Sequence, residues 1–212
     1  MTKIGMINGK GGAGKSTACV ALAAALATKH RVALVDLDPQ GSISRWWEMA
    51  QQPANLSVFK SHKPADLDKL PNDFEFVVVD TKGELSADAL PFIDLALMPV
   101  APSIFDVWAM ADTIDIVMTH QSKRPALRAA LFVNRLKQNT VLGKDVQDSI
   151  LSYGVPCLRT ALRSREGYPL SLARGKTPVS SGDSDIRLES LRLAEFVKRF
   201  IATGETGEKK KK

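Results

Sequence analysis

Two lysines, a run of glycines and three aspartates are the residues of this chain whose types and spacing can do chemistry. Gly9-Lys10-Gly11-Gly12-Ala13-Gly14-Lys15-Ser16-Thr17 fits the pattern G-x-x-x-x-G-K-[ST] from Gly9 to Ser16. In such a loop, glycines let consecutive backbone N–H groups turn toward an anion at a helix N-terminus, where unpaired donors and the helix dipole both favour negative charge. Lys15 is placed to reach β- and γ-phosphates and Ser16 a Mg²⁺ ion, with Gly11, Gly12, Ala13, Gly14 and Thr17 completing the cradle. Two apolar runs end in carboxylates: Arg31 to Val35 in Asp36, and Phe74 to Val79 in Asp80. Bare carboxylates beside a triphosphate repel it unless a divalent cation intervenes. Asp36 and Asp80 therefore read as ligands of metal-bound water, and Asp38, fixed by Pro39, as the group that orients an attacking water. Asn134 ends a further apolar run, Ala129 to Val133, where a side-chain amide can donate to and accept from an adenine edge. ATP and Mg²⁺ are the cofactors this set calls for.

The elements that must position these groups alternate. Ile4 to Ile7 leads into the glycine loop as a strand, and Cys19 to Ala27 leads out as a helix. Strands follow at Arg31–Asp36, Leu56–Phe59, Phe74–Asp80, Leu95–Val100, Ala129–Val133 and Val155–Thr160. Helices are expected over Ser42–Gln51, after Ser103 as N-cap, and from about Asp185 to Ile201. Trp46 and Trp47 lie ~100° apart on a helix, so one is expected to pack and the other to face outward. In open parallel sheets ligands sit beyond the carboxyl ends of strands, which brings Asp36, Asp38 and Asp80 to the same edge as the loop. The fold expected is α/β: three layers, with a mostly parallel central sheet flanked by helices through right-handed crossovers.

With these motifs in hand, the chain resembles the ParA/MinD ATPases of the P-loop NTPase class. Lys10 to Thr17 is similar to their deviant Walker A box, whose extra lysine crosses an ATP-sandwich dimer to touch the partner's nucleotide. The resemblance implies such a catalytic part for Lys10; taken alone, Lys10 reads equally as a solvated loop lysine. Asp36-Leu37-Asp38-Pro39-Gln40 is similar to the family's second nucleotide motif, and the family's base contact falls at Asn134. Pro102-Ser103-Ile104-Phe105-Asp106 resembles turns of the short, ParF-like plasmid-partition members, and Gly175 to Val179 their C-terminal region, so the likeness runs from Lys3 to about Phe200. It departs at Thr81-Lys82-Gly83, where larger relatives often carry a proline pair. The resemblance implies a Mg²⁺-dependent ATPase that forms an ATP-dependent homodimer and binds DNA without sequence preference. Such an ATPase positions a plasmid or similar cargo with a ParB-like or other small adaptor that stimulates hydrolysis.

Composition bounds the alternatives. The 212 residues carry a net charge of +6, which suggests a polyanionic partner. Arg163, Arg165, Arg174, Lys176, Arg187 and Arg192 concentrate in the C-terminal third and are the expected DNA contacts, the other reading being that they only keep the chain soluble. Residues 1–202 are expected to form one ATPase domain and 203–212 a disordered tail ending in Lys209 to Lys212. A MinD-like membrane-cycling ATPase is one competitor, but Ala202 to Lys212 offers no amphipathic helix. A metabolic P-loop enzyme is another, but Cys19 and Cys157 lack the spacing of a cluster or zinc site. No apolar run approaches the ~20 residues of a membrane span. A cytoplasmic, nucleoid-associated protein without membrane partner is the expectation.

Overall fold

Strands buried on both faces need apolar residues at every position, and this chain has such runs wherever the sheet needs its centre. The computed structural model describes residues 1–83, 86–137 and 153–207. Its strands are β1 (Thr2–Met6), β2 (Val32–Asp36), β3 (Leu56–Lys60), β4 (Phe76–Asp80), β5 (Leu95–Val100), β6 (Arg128–Leu136) and β7 (Cys157–Arg163). They form one seven-stranded sheet in the order β3-β2-β4-β1-β5-β6-β7. Every neighbouring pair is parallel, so the sheet expected to be mostly parallel is parallel throughout. The helices are α1 (Lys15–Leu26), α2 (Ser42–Met49), α3 (Ile104–Lys123), α4 (Gly167–Ala173) and α5 (Ser184–Thr203), with 3-10 turns at Pro64–Lys69 and Ser86–Phe92.

Alternation along the strands divides the core into two layers. Val32 and Leu34 of β2 join α1, Trp46 of α2, Tyr168 and the apolar side of α5 on one face. Ala33 and Val35 join Leu90, Ile93 and the inner side of α3 on the other. Helix α1 is buried over nearly its whole length from Ala18 to Leu26, which explains its run of alanines and its lack of an amphipathic pattern. It starts at Lys15 rather than Cys19, because its first turn is the end of the glycine loop.

Two local expectations are corrected. Ser103 stands at the N-cap of α3, but its side chain makes no capping bond; its carbonyl closes the turn by accepting from the N–H groups of Asp106 and Val107 at 3.0 and 2.9 Å. Trp46 is the packed member of its pair, and Trp47, half-buried with its ring 5.9 Å away and tilted, rests against the same core layer, so it faces outward only in part. The outward tryptophan is Trp108, 61% exposed. Helix α5 is capped as a sequence would have it, Asp183 accepting from Asp185 and Ile186 at its start and Gly204 in the left-handed region at its end. Beyond it the Thr206 carbonyl accepts from Arg159 N–H at 3.1 Å. The lysine run Lys209 to Lys212 lies outside the described residues.

The order of strands places the site. β1 has β4 on one side and β5 on the other, and the chain winds to one side of β1 before crossing to the other. The crevice beyond the carboxyl end of β1 is therefore the switch point, where open parallel sheets hold their ligands.

Candidate functional site: a glycine loop over buried carboxylates

The loop after β1 is tied down from three directions. Asn8 is buried and its amide donates to the Pro99 carbonyl at 2.7 Å, while its Oδ1 accepts from Lys10 N–H at 2.7 Å. Gly9 N–H donates to Thr113 Oγ1 of α3 at 3.2 Å. Asn134 Nδ2 donates to the Ala13 carbonyl at 2.8 Å. Gly14 turns into α1 with φ 77, and a Cβ there would sit 2.8 Å from Asn134 Nδ2, so both the backbone and the space require glycine. Lys15 is buried and lies across the loop's inner side, donating to the carbonyls of Asn8 at 3.1 Å and Lys10 at 3.3 Å. Burial lowers its pKa, and the nearby Asp80 carboxylate opposes that.

Beneath the loop, Asp36 and Asp80 are register partners across β2 and β4, and both are buried. Asp36 Oδ2 accepts from the backbone N–H and the hydroxyl of Ser44, each at 2.8 Å. Asp36 Oδ1 and Asp80 Oδ2 are buried without any hydrogen-bond partner. Burial pushes the Asp80 carboxyl up to about 6, with a hydrogen bond from Ser16 working the other way and Asp36 adding to the rise. Beside it the buried Cys19 thiol is also pushed well up, so it stays a neutral group 3.7 Å from Asp80 Oδ1. Two buried carboxylate oxygens left without donors, next to a Ser16 hydroxyl, are what a divalent cation of the Mg²⁺ kind needs: hard oxygen ligands and room for the remaining ones to come from water or phosphate. The residues present fit such an ion.

Two clefts open on either side of Gly14 and Thr17. One, of about 430 Å³, is lined by the glycine loop, Lys15, Ser16, Asp38, Gln40, Lys82 and Gly83. The other, of about 280 Å³, is lined by Asn134, Arg135, Leu162, Arg163, Arg165 and Tyr168 among others. The first is the more polar of the two and brings Lys15, Ser16 and Asp38 to one cleft, as a triphosphate requires; the second is more apolar, with Leu162 and Tyr168 in its wall, as a base requires. Asp38 is half-buried in the wall of the first cleft, and its Oδ1 accepts from Gln40 N–H at 2.9 Å in a tight turn.

The sequence-expected residues divide accordingly. Gly11 to Thr17, Lys15, Ser16, Asp36, Asp38 and Asp80 come together, and Asn134 lies in the second cleft with one N–H committed to the loop. Lys10 points away from Lys15: its Nζ pairs with Asp106 at the start of α3 at 2.6 Å. Of the six basic residues, Arg163 and Arg165 wall the second cleft and face a carboxylate. Glu189 of α5, buried, accepts from Arg163 N–H at 3.0 Å, Arg165 Nε at 2.9 Å and the Tyr168 hydroxyl at 3.0 Å, and Arg165 also pairs with Asp185 at 2.7 Å. Arg174, Lys176, Arg187 and Arg192 have no ion pair among the described residues, and all but the half-buried Lys176 are exposed. Sequence reading missed Asn8, Ser44, Thr113, Arg135 and Glu189. Arg135 is marked in the structure by a left-handed backbone, φ 56, rare outside glycine, and its guanidinium donates to the Gly12 carbonyl at 2.9 Å.

Comparison with known proteins points to the same fold. A family model described as the CobQ/CobB/MinD/ParA nucleotide binding domain matches residues 4–179. The maintenance of carboxysome distribution protein A of Halothiobacillus neapolitanus is 33% identical over 189 residues, covering 84% of this chain and 87% of the relative. The fold is similar to that of McdA from Cyanothece in complex with ATP, with a TM-score of 0.75 at 15% identity, covering 92% of this chain and 95% of that one. It is also similar to the septum site-determining protein MinD of Pyrococcus horikoshii with Mg-ADP, with a TM-score of 0.71 at 17% identity, covering 94% and 96%.

Proposed function

The chain belongs to the CobQ/CobB/MinD/ParA family of nucleotide-binding domains, and from that premise we propose that it is a Mg²⁺-dependent ATPase that dimerises on ATP, binds DNA without sequence preference and positions a cargo through a small adaptor. The observation that carries the reading is the meeting of Lys15, Asp36, Asp38 and Asp80 under one glycine loop, with two carboxylate oxygens left without partners. Lys15 leaves the carbonyls of Asn8 and Lys10 for the phosphates, and the loop's N–H groups hold them in place. Ser16, Asp36 and Asp80 would hold Mg²⁺, directly or through water, and the ion would supply neutralisation of charge on the phosphoryl oxygens. Asp38 orients the attacking water. Asn134, Arg135 and Tyr168 take the base.

A positioning role rests on the carboxysome-distribution relative, and a plasmid is the other cargo that the short partition proteins suggest. No helix among the described residues is long and apolar enough to cross a membrane.

Lys10 is the dimer element of this reading. Exchange of its pairing with Asp106 for the partner's nucleotide would make dimerisation depend on ATP, since an exposed ion pair contributes only about 0–1 kcal/mol and a phosphate competes with it easily. With a slowly hydrolysed ATP analogue, light scattering should report a dimer for wild type and a monomer for Lys10→Ala. A Lys10→Ala chain that dimerises and hydrolyses ATP like wild type removes the cross-subunit role.

DNA binding is assigned to Arg174, Lys176, Arg187 and Arg192, whose charges have no partner among the described residues, whereas Arg163 and Arg165 are engaged by Glu189 at the base cleft. A dimer presents twice as many such contacts, and log K falls with log salt by about 0.9 per phosphate contact, so dimerisation doubles the slope. A salt titration of DNA binding should give a slope with ATP about twice that with ADP. Arg187→Glu/Arg192→Glu should flatten it while ATP turnover persists. Unchanged DNA affinity in this variant, with loss on truncation after Thr203, moves the contact to the terminal lysines.

A further inference from the structure

Helix α2 begins without a cap of its own. Gly41 stands at its N-cap and has no side chain to bond the first turn, where a capping side chain takes the N–H of the second or third helical residue. Asp36, at the end of β2, fills that place. Its Oδ2 accepts from the N–H of Ser44, the third residue of α2, and also from the Ser44 hydroxyl, each at 2.8 Å. A cap calls for one bond only, and the N–H supplies it. The hydroxyl is a second donor on the same oxygen, and a carboxylate oxygen has two lone pairs, so Oδ2 is saturated while Oδ1 stays buried without a partner. Across the register Asp80 is divided in the same way: its Oδ1 lies 3.7 Å from the Cys19 thiol, and its Oδ2 is buried without a partner. The two oxygens left over are those of the candidate cation site.

We infer that Ser44 is a positioning residue for the cation: its hydroxyl fixes the rotation of the Asp36 carboxylate so that Oδ1 is the oxygen offered to Mg²⁺ or to water on it. The torsion that turns a carboxylate is broad and roughly two-fold, so a single donor leaves either oxygen free to face the ion. Two donors on one oxygen, one of them part of a helix backbone, remove that freedom before the ion arrives. Groups standing behind a metal's own ligands act in this way, and losing one commonly costs metal affinity 10–100-fold. The other reading of Ser44 is a purely stabilising bond to the start of α2. That reading accounts for the N–H but not for the hydroxyl. A buried oxygen without a partner costs stability, and spreading the two donors over both oxygens of Asp36 would leave neither unpaired. Doubling them on Oδ2 makes sense where Oδ1 is kept for a ligand. The inference rests on the reading of Asp36 and Asp80 as the cation site, and its test separates the two.

The test is binding of fluorescently labelled ADP to the full chain, followed by anisotropy in EDTA and then across a Mg²⁺ titration. ADP keeps hydrolysis and ATP-driven dimerisation out of the readout. For wild type, Mg²⁺ is expected to tighten ADP by about fivefold or more. Ser44→Ala should need about tenfold more Mg²⁺ or beyond for half of that tightening. Its ADP affinity in EDTA, and again at saturating Mg²⁺, should stay within about twofold of wild type, because the loss falls on the ion and not on the nucleotide. Ser44→Thr keeps the hydroxyl and should titrate like wild type. Melting in EDTA should put both variants within about 5 °C of wild type, since the Ser44 N–H remains to bond Asp36. If Ser44→Ala does not fold, Ser44→Cys carries the same test: it keeps the size with a weak S–H donor, and should shift the Mg²⁺ requirement upward by about threefold or more. A Mg²⁺ requirement unchanged from wild type in the alanine or cysteine variant overturns the proposal. So does a Ser44→Thr chain that titrates like Ser44→Ala. An ADP affinity lowered by one factor at every Mg²⁺ concentration, EDTA included, also overturns it and leaves Ser44 a purely structural part of α2. A wild-type chain whose ADP affinity ignores Mg²⁺ sinks the cation reading itself, and the positioning role falls with it.

Discussion

Asp38→Ala is expected to keep ATP and lose its turnover by about 10²–10³-fold, whereas Lys15→Ala is expected to lose ATP itself by on the order of 100-fold in affinity. The two residues line the same cleft, yet their surroundings give them different tasks. Lys15 is buried against the loop's carbonyls, and its charge is held there by Asp80, so it is poised to exchange those carbonyls for phosphate oxygens. Removing it leaves the cradle without its only buried cation among the described residues and Asp80 without an opposing charge. Asp38 is half-buried in the cleft wall, fixed by its bond from Gln40 N–H and by the following Pro39, and has no hydrogen bond to the glycine loop among the described residues. Its loss should therefore cost the positioning of water but little ground-state binding, and the ATP-bound dimer should accumulate because nothing discharges it. Equilibrium ATP binding, single-turnover hydrolysis and light scattering on the two variants separate these outcomes. Equal affinity and equal turnover in wild type and Asp38→Ala remove Asp38 from the chemistry.

How much of this was legible in the sequence depends on the range of each interaction. The glycine loop was legible because its chemistry is local: Gly9 to Thr17 act through backbone conformation at fixed spacing. The strands ending in Asp36 and Asp80 were legible because burial on both faces leaves an unbroken apolar run, and a carboxylate closing such a run announces the sheet's functional edge. The partners of these groups were not. Lys10 finds Asp106 at a separation of 96 residues, Asn8 finds Pro99 at 91 and Arg165 finds Glu189 at 24. Glu189 sits on α5 among charged and polar residues at helical spacing and carries no mark that it turns inward to hold two arginines and a tyrosine. Reading Arg163 and Arg165 as part of a free basic patch followed from counting charge along the chain, which cannot see that a buried carboxylate lies opposite. Arg135 carried no signal, because a left-handed backbone at a non-glycine residue is imposed by the loop it closes on. The exposed aromatics of α3 escaped for a different reason: Phe105 and Trp108 repeat at a spacing that serves a core face equally well, and only the packing of Val107, Met110 and Ile114 inward shows which side is left outside.

Asp80→Asn is expected to move stability and activity in opposite directions. Asp80 is buried, its Oδ2 has no donor, and Asp36 lies directly across the register, so holding these two carboxylates close costs the fold stability that a bound cation would return. With a carboxyl raised from 3.8 to about 6, the native state binds more protons than the unfolded chain between those values. Stability from this group is therefore fully present below about pH 4 and falls as pH rises through about 6, and by neutral pH the charged form costs the fold about 3 kcal/mol. Asparagine removes the charge, keeps the shape and can donate toward Asp36, so the nucleotide-free variant should gain about 1–2 kcal/mol at pH 7.5, or roughly 3–6 °C in Tm. At pH 4 the gain should vanish, since the wild-type group is then neutral in the fold. The same change takes away a carboxylate from the cation site, so Mg²⁺-dependent ATP hydrolysis should fall by at least about 100-fold, and Mg²⁺ should no longer tighten nucleotide binding. Melting curves at pH 4 and pH 7.5, with and without Mg²⁺ and nucleotide, read both halves. A variant that melts lower than wild type at pH 7.5 contradicts the stored cost, and one that hydrolyses ATP like wild type removes Asp80 from the cation site.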